Sequence, residues 1–365
     1  GLLLDPYFSA TIISWILDNV DGEKQKAENG ELRFGTVDTY LLWQLSEGSI
    51  FKTDVTNASR TSLFNIHSKA WDSELLDIFN IPPSMLPEVH ASDANFGKIS
   101  RKDKKINISG VIGDQQSAMV GQRCYEPGQM KATFGTGCFL MVNTGKESNQ
   151  STSGLLNTIG YGISGQTPFA LEGSIFSAGT TIQWIRDEMK FFSDSSQSID
   201  YLSSKGDSKD IFFIPGFTGI GAPHWNSKIR AAFYGITRDT TQKDMTTAAF
   251  NALIYQVIDI KDALVKDGME IKNLSIDGGM ASNTKFCQLL ADYLCQEVNV
   301  PSSLESTVIG AAITAGLGSN LFSIEELLAD SESNSTIYKP RDGIFDPEDL
   351  AQWRKFLSVL MDAYN

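Results

Sequence analysis

Apolar residues recur along this chain at two spacings, helical and alternating, and the way the spacings follow one another predicts an α/β protein. Phe8, Ile12, Trp15 and Ile16 share a helical period after Asp5-Pro6, where an aspartate can cap free N–H groups and a proline suits a first turn. The first solid element is therefore read as a helix with that apolar face. Similar spacing predicts helices over Val37 to Leu45, with Thr36 as cap, and over Trp71 to Phe79, ended by Ile81-Pro82-Pro83. Ile108 to Ile112 reads as a strand entering a helix that begins near Ser117-Ala118-Met119. Met130 to Val142 is strand-rich, and Ser275-Ile276-Asp277 reads as a strand feeding a helix from about Asn283 to Leu294. Val308 to Leu317 is an Ala/Gly-rich helix able to pack closely. Ligands in such α/β arrangements sit in the crevice at the strand ends.

Polar punctuation divides the chain. Val89 to Asn107 turns basic, with Arg101-Lys102-Asp103-Lys104-Lys105 read as a solvated connection. Glu126-Pro127-Gly128 is a turn signal that sets a domain boundary, giving units 1–128 and 129–320, with a helical tail over 321–365. Ser193-Asp194-Ser195-Ser196-Gln197-Ser198 lacks an apolar period and reads as a surface loop. A chain of 365 residues that is 41% hydrophobic and 20% charged has room for two such cores. Its net charge of -14 repels nucleic acid and anionic lipid, so an anionic ligand must be drawn in by local N–H groups or a metal ion.

The four cysteines form no C-x-x-C pair and the three histidines are far apart, which argues against a zinc site or a disulfide framework. Cys124 and Cys138 read as small buried side chains, and His224 as a loop histidine. No run approaches the roughly 18 apolar residues of a membrane span, and no basic segment precedes an apolar core at the start. The expected protein is cytoplasmic, without stable membrane insertion.

Two glycine-bracketed turns carry the chemistry. Gly113-Asp114-Gln115-Gln116 sets an acid and two amides at the end of a strand-like run, and Gly135-Thr136-Gly137 bends the chain so tightly that backbone N–H groups can face an anion. A carboxylate beside a phosphate cradle is the equipment of a phosphotransferase, with Asp114 as acceptor of a hydroxyl proton. Asp114 as a simple helix cap, and Tyr7 and Phe139 as plain core aromatics, are the structural alternatives. The segments Gly113-Asp114-Gln115-Gln116, Phe134-Gly135-Thr136-Gly137-Cys138-Phe139 and Phe217-Thr218-Gly219-Ile220-Gly221-Ala222-Pro223 resemble the FGGY carbohydrate kinase family in its glycerol-phosphorylating branch, and the resemblance runs nearly end to end.

The resemblance implies two actin-like, ribonuclease H-type ATPase domains around a cleft, with the first domain incomplete, residues 1–128 on the substrate side and 129–320 on the nucleotide side. It implies ATP-dependent phosphorylation of glycerol to sn-glycerol 3-phosphate with Mg2+, with ATP, ADP and glycerol as partners, no nucleic acid, and room for a homo-oligomer. Glycerol contacts fall on Tyr7, Asp114, Gln115 and Phe139, and nucleotide contacts on Thr136, Gly179, Gln183, Gly279 and Asn283; metal ligands are left unassigned. Another polyol or sugar, such as xylulose, is the alternative substrate, and a truncated nucleotide-binding or interaction protein the non-catalytic alternative. Thr53 to Thr61 is also similar to the family and reads as framework beside the cleft, with Asp54 and Arg60 paired. The family's Asp-x-Gly-Thr hairpin, Arg-Glu pair and Trp are expected upstream of Gly1, so this chain alone is expected to bind nucleotide without turnover. Ile12 replaces a family lysine and is expected to be buried; Asn251 replaces an acidic residue.

Overall fold

The computed structural model of the protein describes residues 1–5, 7–148, 150–202, 210–329 and 335–364. Its organising element is a seven-stranded mixed sheet built from β1 (Gln129–Phe134), β2 (Cys138–Gly145), β3 (Leu156–Ile159), β4 (Phe169–Ile175), β5 (Asn273–Asp277), β6 (Val298–Pro301) and β7 (Ser335–Tyr338). The spatial order is β7-β6-β5-β1-β2-β4-β3. β5 pairs in parallel with β1 and β6, and the remaining pairs are antiparallel. β1 and β2 form a hairpin whose last pair is Phe134 with Cys138, so the turn between them is Gly135-Thr136-Gly137.

The helices used below are α1 (Ser9–Asn19), α2 (Val37–Leu45), α3 (Ser73–Phe79), α4 (Asp114–Gly121), α5 (Gly179–Asp187), α6 (Gln242–Lys266), α7 (Thr284–Leu294), α8 (Ser306–Gly318) and α9 (Pro347–Tyr364). Side chains alternate across a sheet, and one face here is apolar. Met130, Ala132, Phe134, Leu140, Val142, Leu171 and Ile276 point to it and merge with Phe250, Leu253, Ile254 and Val257 of α6 and Phe286 and Leu290 of α7 into the largest core. Thr241 and Asp244 form a reciprocal capping box that starts α6, and Asn283 caps α7 by accepting from Phe286 N at 3.1 Å. The opposite face meets α4, and α8 packs on α4. These helices cross so closely that a methyl group at Gly310 would overlap the Ser117 carbonyl, and Ser117 Oγ donates to Thr307 O at 2.6 Å.

The residues before Gly128 form smaller cores, one of them built from Ala10, Ile13 and Leu17 of α1 with Leu63, Leu76, Ile81 and Met85. α1 therefore buries a different stripe from the expected one. Ile12 is 48% and Trp15 62% exposed, and Ile16 is exposed too. The helix is apolar nearly all round, so its period alone could not choose the buried side. Asp5 caps no helix: it accepts from Tyr7 N at 2.8 Å, and α1 begins after Phe8 with no side-chain cap. Pro6 lies outside the described residues.

α2 spans the expected residues, but Thr36 turns its hydroxyl to Asp38 Oδ1 at 2.5 Å instead of capping. α3 begins at Ser73 because Asp72 accepts from Glu74 N and Leu75 N, leaving Trp71 in a two-residue strand. The strand expected over Ile108 to Ile112 ends at Ile108, and the following helix starts at Asp114, three residues before the expected Ser117. The basic stretch at Arg101 to Lys105 is the tip of a hairpin pairing Gly97–Arg101 with Lys104–Ile108. Ser193 to Ser198 is not an irregular loop: Asp194 caps a helical turn over Ser195–Gln197, followed by a helix at Ser198–Tyr201 with Ser198 buried.

Residues set apart above as a tail are woven into the second core. β7 is the sheet's edge strand, and Leu350, Trp353 and Leu357 of α9 join the core. No helix among the described residues is long and apolar enough to cross a membrane. Trp353 is fully buried and donates its indole N–H to Phe213 O at 2.8 Å. Trp353→Ala is expected to lower unfolding free energy by about 3–5 kcal/mol in urea titrations, whereas an unchanged midpoint would mean that α9 is peripheral.

Candidate active site

Register decides which side chains meet beneath the cleft. Lys131 lies opposite Ser275 on β5 and Met141 on β2, Thr133 lies opposite Asp277 and Phe139, and Met141 and Phe139 lie opposite Glu172 and Ser174 on β4. Directly paired residues share a face. Lys131, Thr133, Phe139, Glu172 and Asp277 therefore stand together on the polar face of the sheet, three of them buried ionisable groups. Lys131 donates to Gln115 Oε1 across to the first unit, and to Thr133 Oγ1 at 3.2 Å. Burial pulls its ammonium below the ordinary lysine value, opposed by Asp277, Cys138, Glu172 and Asp114.

Asp114 and Gln115 arrive at this face on the first turn of α4. Gly113 is the N-cap residue and Asp114 the first helical residue, so the reading of Asp114 as a plain N-cap does not hold. Its Oδ1 accepts from Gln115 N at 2.7 Å, its Oδ2 has only a long 3.4 Å contact with Gln115 Nε2, and the side chain is exposed. A carboxylate with one uncommitted oxygen facing open space can accept a proton from a ligand.

The turn is anchored from behind by Asp54. This fully buried carboxylate accepts from Thr56 N, Thr56 Oγ1, Asn57 N, Asn57 Nδ2 and Ser92 Oγ at 2.6–3.1 Å, and Thr56 Oγ1 in turn accepts from Gly113 N at 2.8 Å. Asp54 and Arg60 do not pair, contrary to expectation. Asp54 uses its oxygens to start the short helix Val55–Ala58, while Arg60 makes a two-pronged ion pair with Glu172 on β4, at 2.8 and 2.9 Å. Burial alone would weaken the Arg60 cation, yet Glu172 and Tyr7 outweigh it and raise its pKa above the ordinary arginine value. The Tyr7 hydroxyl lies within electrostatic reach of Arg60, Glu172 and Asp114. Tyr7 is 64% exposed, so it is not a core aromatic.

A cavity of about 660 Å³ opens beside the β1–β2 turn, and all five expected nucleotide residues, Thr136, Gly179, Gln183, Gly279 and Asn283, line it. Gly179 N donates to Gly135 O at 2.9 Å, and a methyl group at 179 would overlap that oxygen. The start of α5 is thus pressed against the glycine turn. Asn283 commits its carboxamide oxygen to capping α7, which leaves its Nδ2 as the group able to serve a ligand. Apolar Ile182, Phe250 and Met280 and the serines at 195 and 196 also line it. None of these was singled out in the sequence, although the serine run offered a signal.

Other candidates stand elsewhere. His224 pairs with Asp259 of α6 at 2.9 Å, and Arg354 of α9 reaches the same carboxylate at 2.7 Å, so His224 ties its loop to two helices. The Phe217-to-Pro223 motif lies outside the cavity. Phe217 packs on Trp184 with ring centres 5.1 Å apart, and Ala222 N donates to Ser174 O at 3.0 Å. Cys124 and Cys138 are free and buried, and burial raises both thiols. Among the described residues no three metal-ligating side chains cluster.

Known families fit this geometry. Residues 1–121 match the N-terminal domain and residues 130–319 the C-terminal domain of the FGGY family of carbohydrate kinases. The chain belongs to that family. A glycerol kinase from Alteromonas mediterranea is 48% identical over 343 residues, covering 93% of this chain and 69% of that protein. One from Nitrosomonas eutropha is 46% identical over 367 residues, covering 100% and 74%. The crystal structure of Plasmodium falciparum glycerol kinase with ADP superposes with a TM-score of 0.87 at 34% identity, over 100% of this chain and 73% of that one. The two-domain actin-like ATPase fold expected from the motifs is therefore the fold of this FGGY chain.

Two outcomes follow from the site's construction. Burial raises Asp54 from 3.8 to about 6, so between these values the folded protein binds more protons than the unfolded chain and loses stability as pH rises. The advantage of the native protein over Asp54→Asn is expected to shrink by up to about 3 kcal/mol between pH 4 and pH 7 in urea unfolding; a difference independent of pH would contradict this. Gly179→Ala is expected to weaken ADP binding at least ~10-fold in calorimetric titration by displacing the glycine turn, because an alanine there overlaps backbone rather than a movable side chain. Unaltered affinity would place the nucleotide elsewhere.

Proposed function

We propose that this protein is an ATP-dependent glycerol kinase that forms sn-glycerol 3-phosphate. The observation that carries the reading is that five nucleotide candidates line one cavity at the Gly135-Thr136-Gly137 turn, while Phe139, two residues beyond it, shares a sheet face with the Lys131 that holds Gln115. Phosphate and hydroxyl are thus served from the two sides of one hairpin. The similarity to glycerol kinases at 46–48% identity favours glycerol over another polyol or sugar.

In this reading Tyr7, Asp114 and Gln115 bind the hydroxyls and Phe139 packs against the carbon chain. Asp114 Oδ2 takes the proton of the attacking hydroxyl as the new O–P bond forms and the bond to ADP breaks. Thr136 faces the phosphates, Gly179 and Gly279 let the backbone approach, and Gln183 and the Asn283 Nδ2 serve ribose or base. Mg2+ fits this donor set. It would be held by the nucleotide phosphates, several waters and one exposed carboxylate, for which Asp114 is available. When bound on the nucleotide, the ion supplies charge neutralisation at the phosphates.

Asp114→Asn in the full-length protein is expected to lower glycerol turnover ~100- to 10,000-fold, with ADP affinity within about twofold because the cavity is untouched. A coupled assay for ADP release with glycerol and xylulose measures both activity and preference. Near-normal turnover by the variant would remove Asp114 from the role, and preferential use of xylulose would overturn the choice of substrate.

A further inference from the structure

We propose that Lys131 is a positioning residue that fixes the orientation of the Gln115 carboxamide, so that Gln115 meets the substrate as a hydrogen-bond donor beside the acceptor Asp114. This deepens the proposed polyol site and rests on it. Lys131 belongs to the second unit and is fully buried, yet its amino group reaches into the first unit to contact a residue that carries the candidate chemistry.

Donors and acceptors fix the orientation of the amide. A lysine ammonium has three N–H donors and no acceptor. Asp277 and Glu172, both buried on the same sheet face, and Asp114 favour that charged form against burial. The Gln115 atom facing Lys131 is therefore the carbonyl oxygen Oε1. Thr133 Oγ1 takes a second ammonium proton at 3.2 Å and holds the amine in place from its own strand. The Gln115 NH2 group is left on the far side, where Nε2 lies 3.4 Å from Asp114 Oδ2. Rotating the amide by half a turn would set donor against donor at a buried site and present two acceptors side by side to the ligand. A hydroxyl is matched by the observed arrangement: its hydrogen goes to Asp114, and its oxygen accepts from Gln115 Nε2. That arrangement aims the O–H bond at the base before phosphoryl transfer.

The test is a double-mutant cycle in the full-length protein, reading glycerol KM and kcat by coupled ADP release and ADP affinity by calorimetry. Lys131→Met keeps the stem, removes the donors and is expected to raise KM ~10-fold by freeing the amide to rotate, with ADP affinity within about twofold. Gln115→Ala is expected to raise KM at least as much, and the double variant to be no worse than Gln115→Ala alone, because Lys131 acts through Gln115. Multiplying effects, or an unchanged KM in Lys131→Met, would overturn the proposal. Gln115→Glu leaves Lys131 in place and asks the question independently. It keeps an oxygen toward the ammonium but turns the outward donor into an acceptor, so a KM increase of ~10-fold or more is expected, and a KM like that of the native protein would overturn the assigned orientation. Native protein that phosphorylates another polyol in place of glycerol overturns the glycerol reading alone, since the same cycle then runs on that polyol. Native protein that phosphorylates no polyol overturns both.

Discussion

The register of β1 against β2 and β5 is the constraint on which the rest of the molecule depends. A slip of one residue would turn Met130, Ala132 and Phe134 out of the main core and drive Lys131 and Thr133 into it. Held in register, the pleat makes one face that can only be a core and another that carries Lys131, Phe139, Glu172 and Asp277. The same hairpin ends in the glycine turn that borders the cavity. Core, substrate side and nucleotide side are thus three consequences of one set of strand pairings.

Buried charge on the polar face is costly unless it is paired and hydrogen-bonded. Glu172 and Lys131 meet that cost with contacts that join the two units. Glu172 on β4 holds Arg60, and Lys131 on β1 holds Gln115. Asp54 works within the first unit, passing through Thr56 to the Gly113 N–H and so to the first turn of α4. Asp114 and Gln115 are therefore each backed by a buried ionisable group, Asp54 and Lys131, and Lys131 reaches across from the sheet. The close crossing of α4 and α8 at Gly310 fixes the helix that these contacts orient.

The chain itself shows much of this before any coordinates. The glycine turn at 135 and the Asp277-Gly278-Gly279 segment mark strand ends through local chemistry, and the five nucleotide candidates, which follow from the family resemblance, line one cavity there. What is missed depends on partners distant in sequence. Glu172 is 112 residues from Arg60, and nothing near either in sequence shows that they meet, whereas Asp54 lies close by and looks like the partner. Lys131 looks like an ordinary strand lysine until register places it under Gln115. The buried stripe of α1 is not legible in its sequence because apolar residues occupy most of its circumference. Ser195 and Ser196 were passed over because a run without apolar period carries no sign of the cavity it borders.

A crystal structure of the full-length protein with glycerol and ADP bound tests the central claim most directly, since the claim concerns where two ligands sit relative to one hairpin. The account predicts ADP in the cavity lined by Thr136, Gly179 and Asn283, and a glycerol hydroxyl oxygen within hydrogen-bond distance of both Asp114 Oδ2 and Gln115 Nε2. Glycerol bound away from Asp114, or ADP outside that cavity, would contradict it.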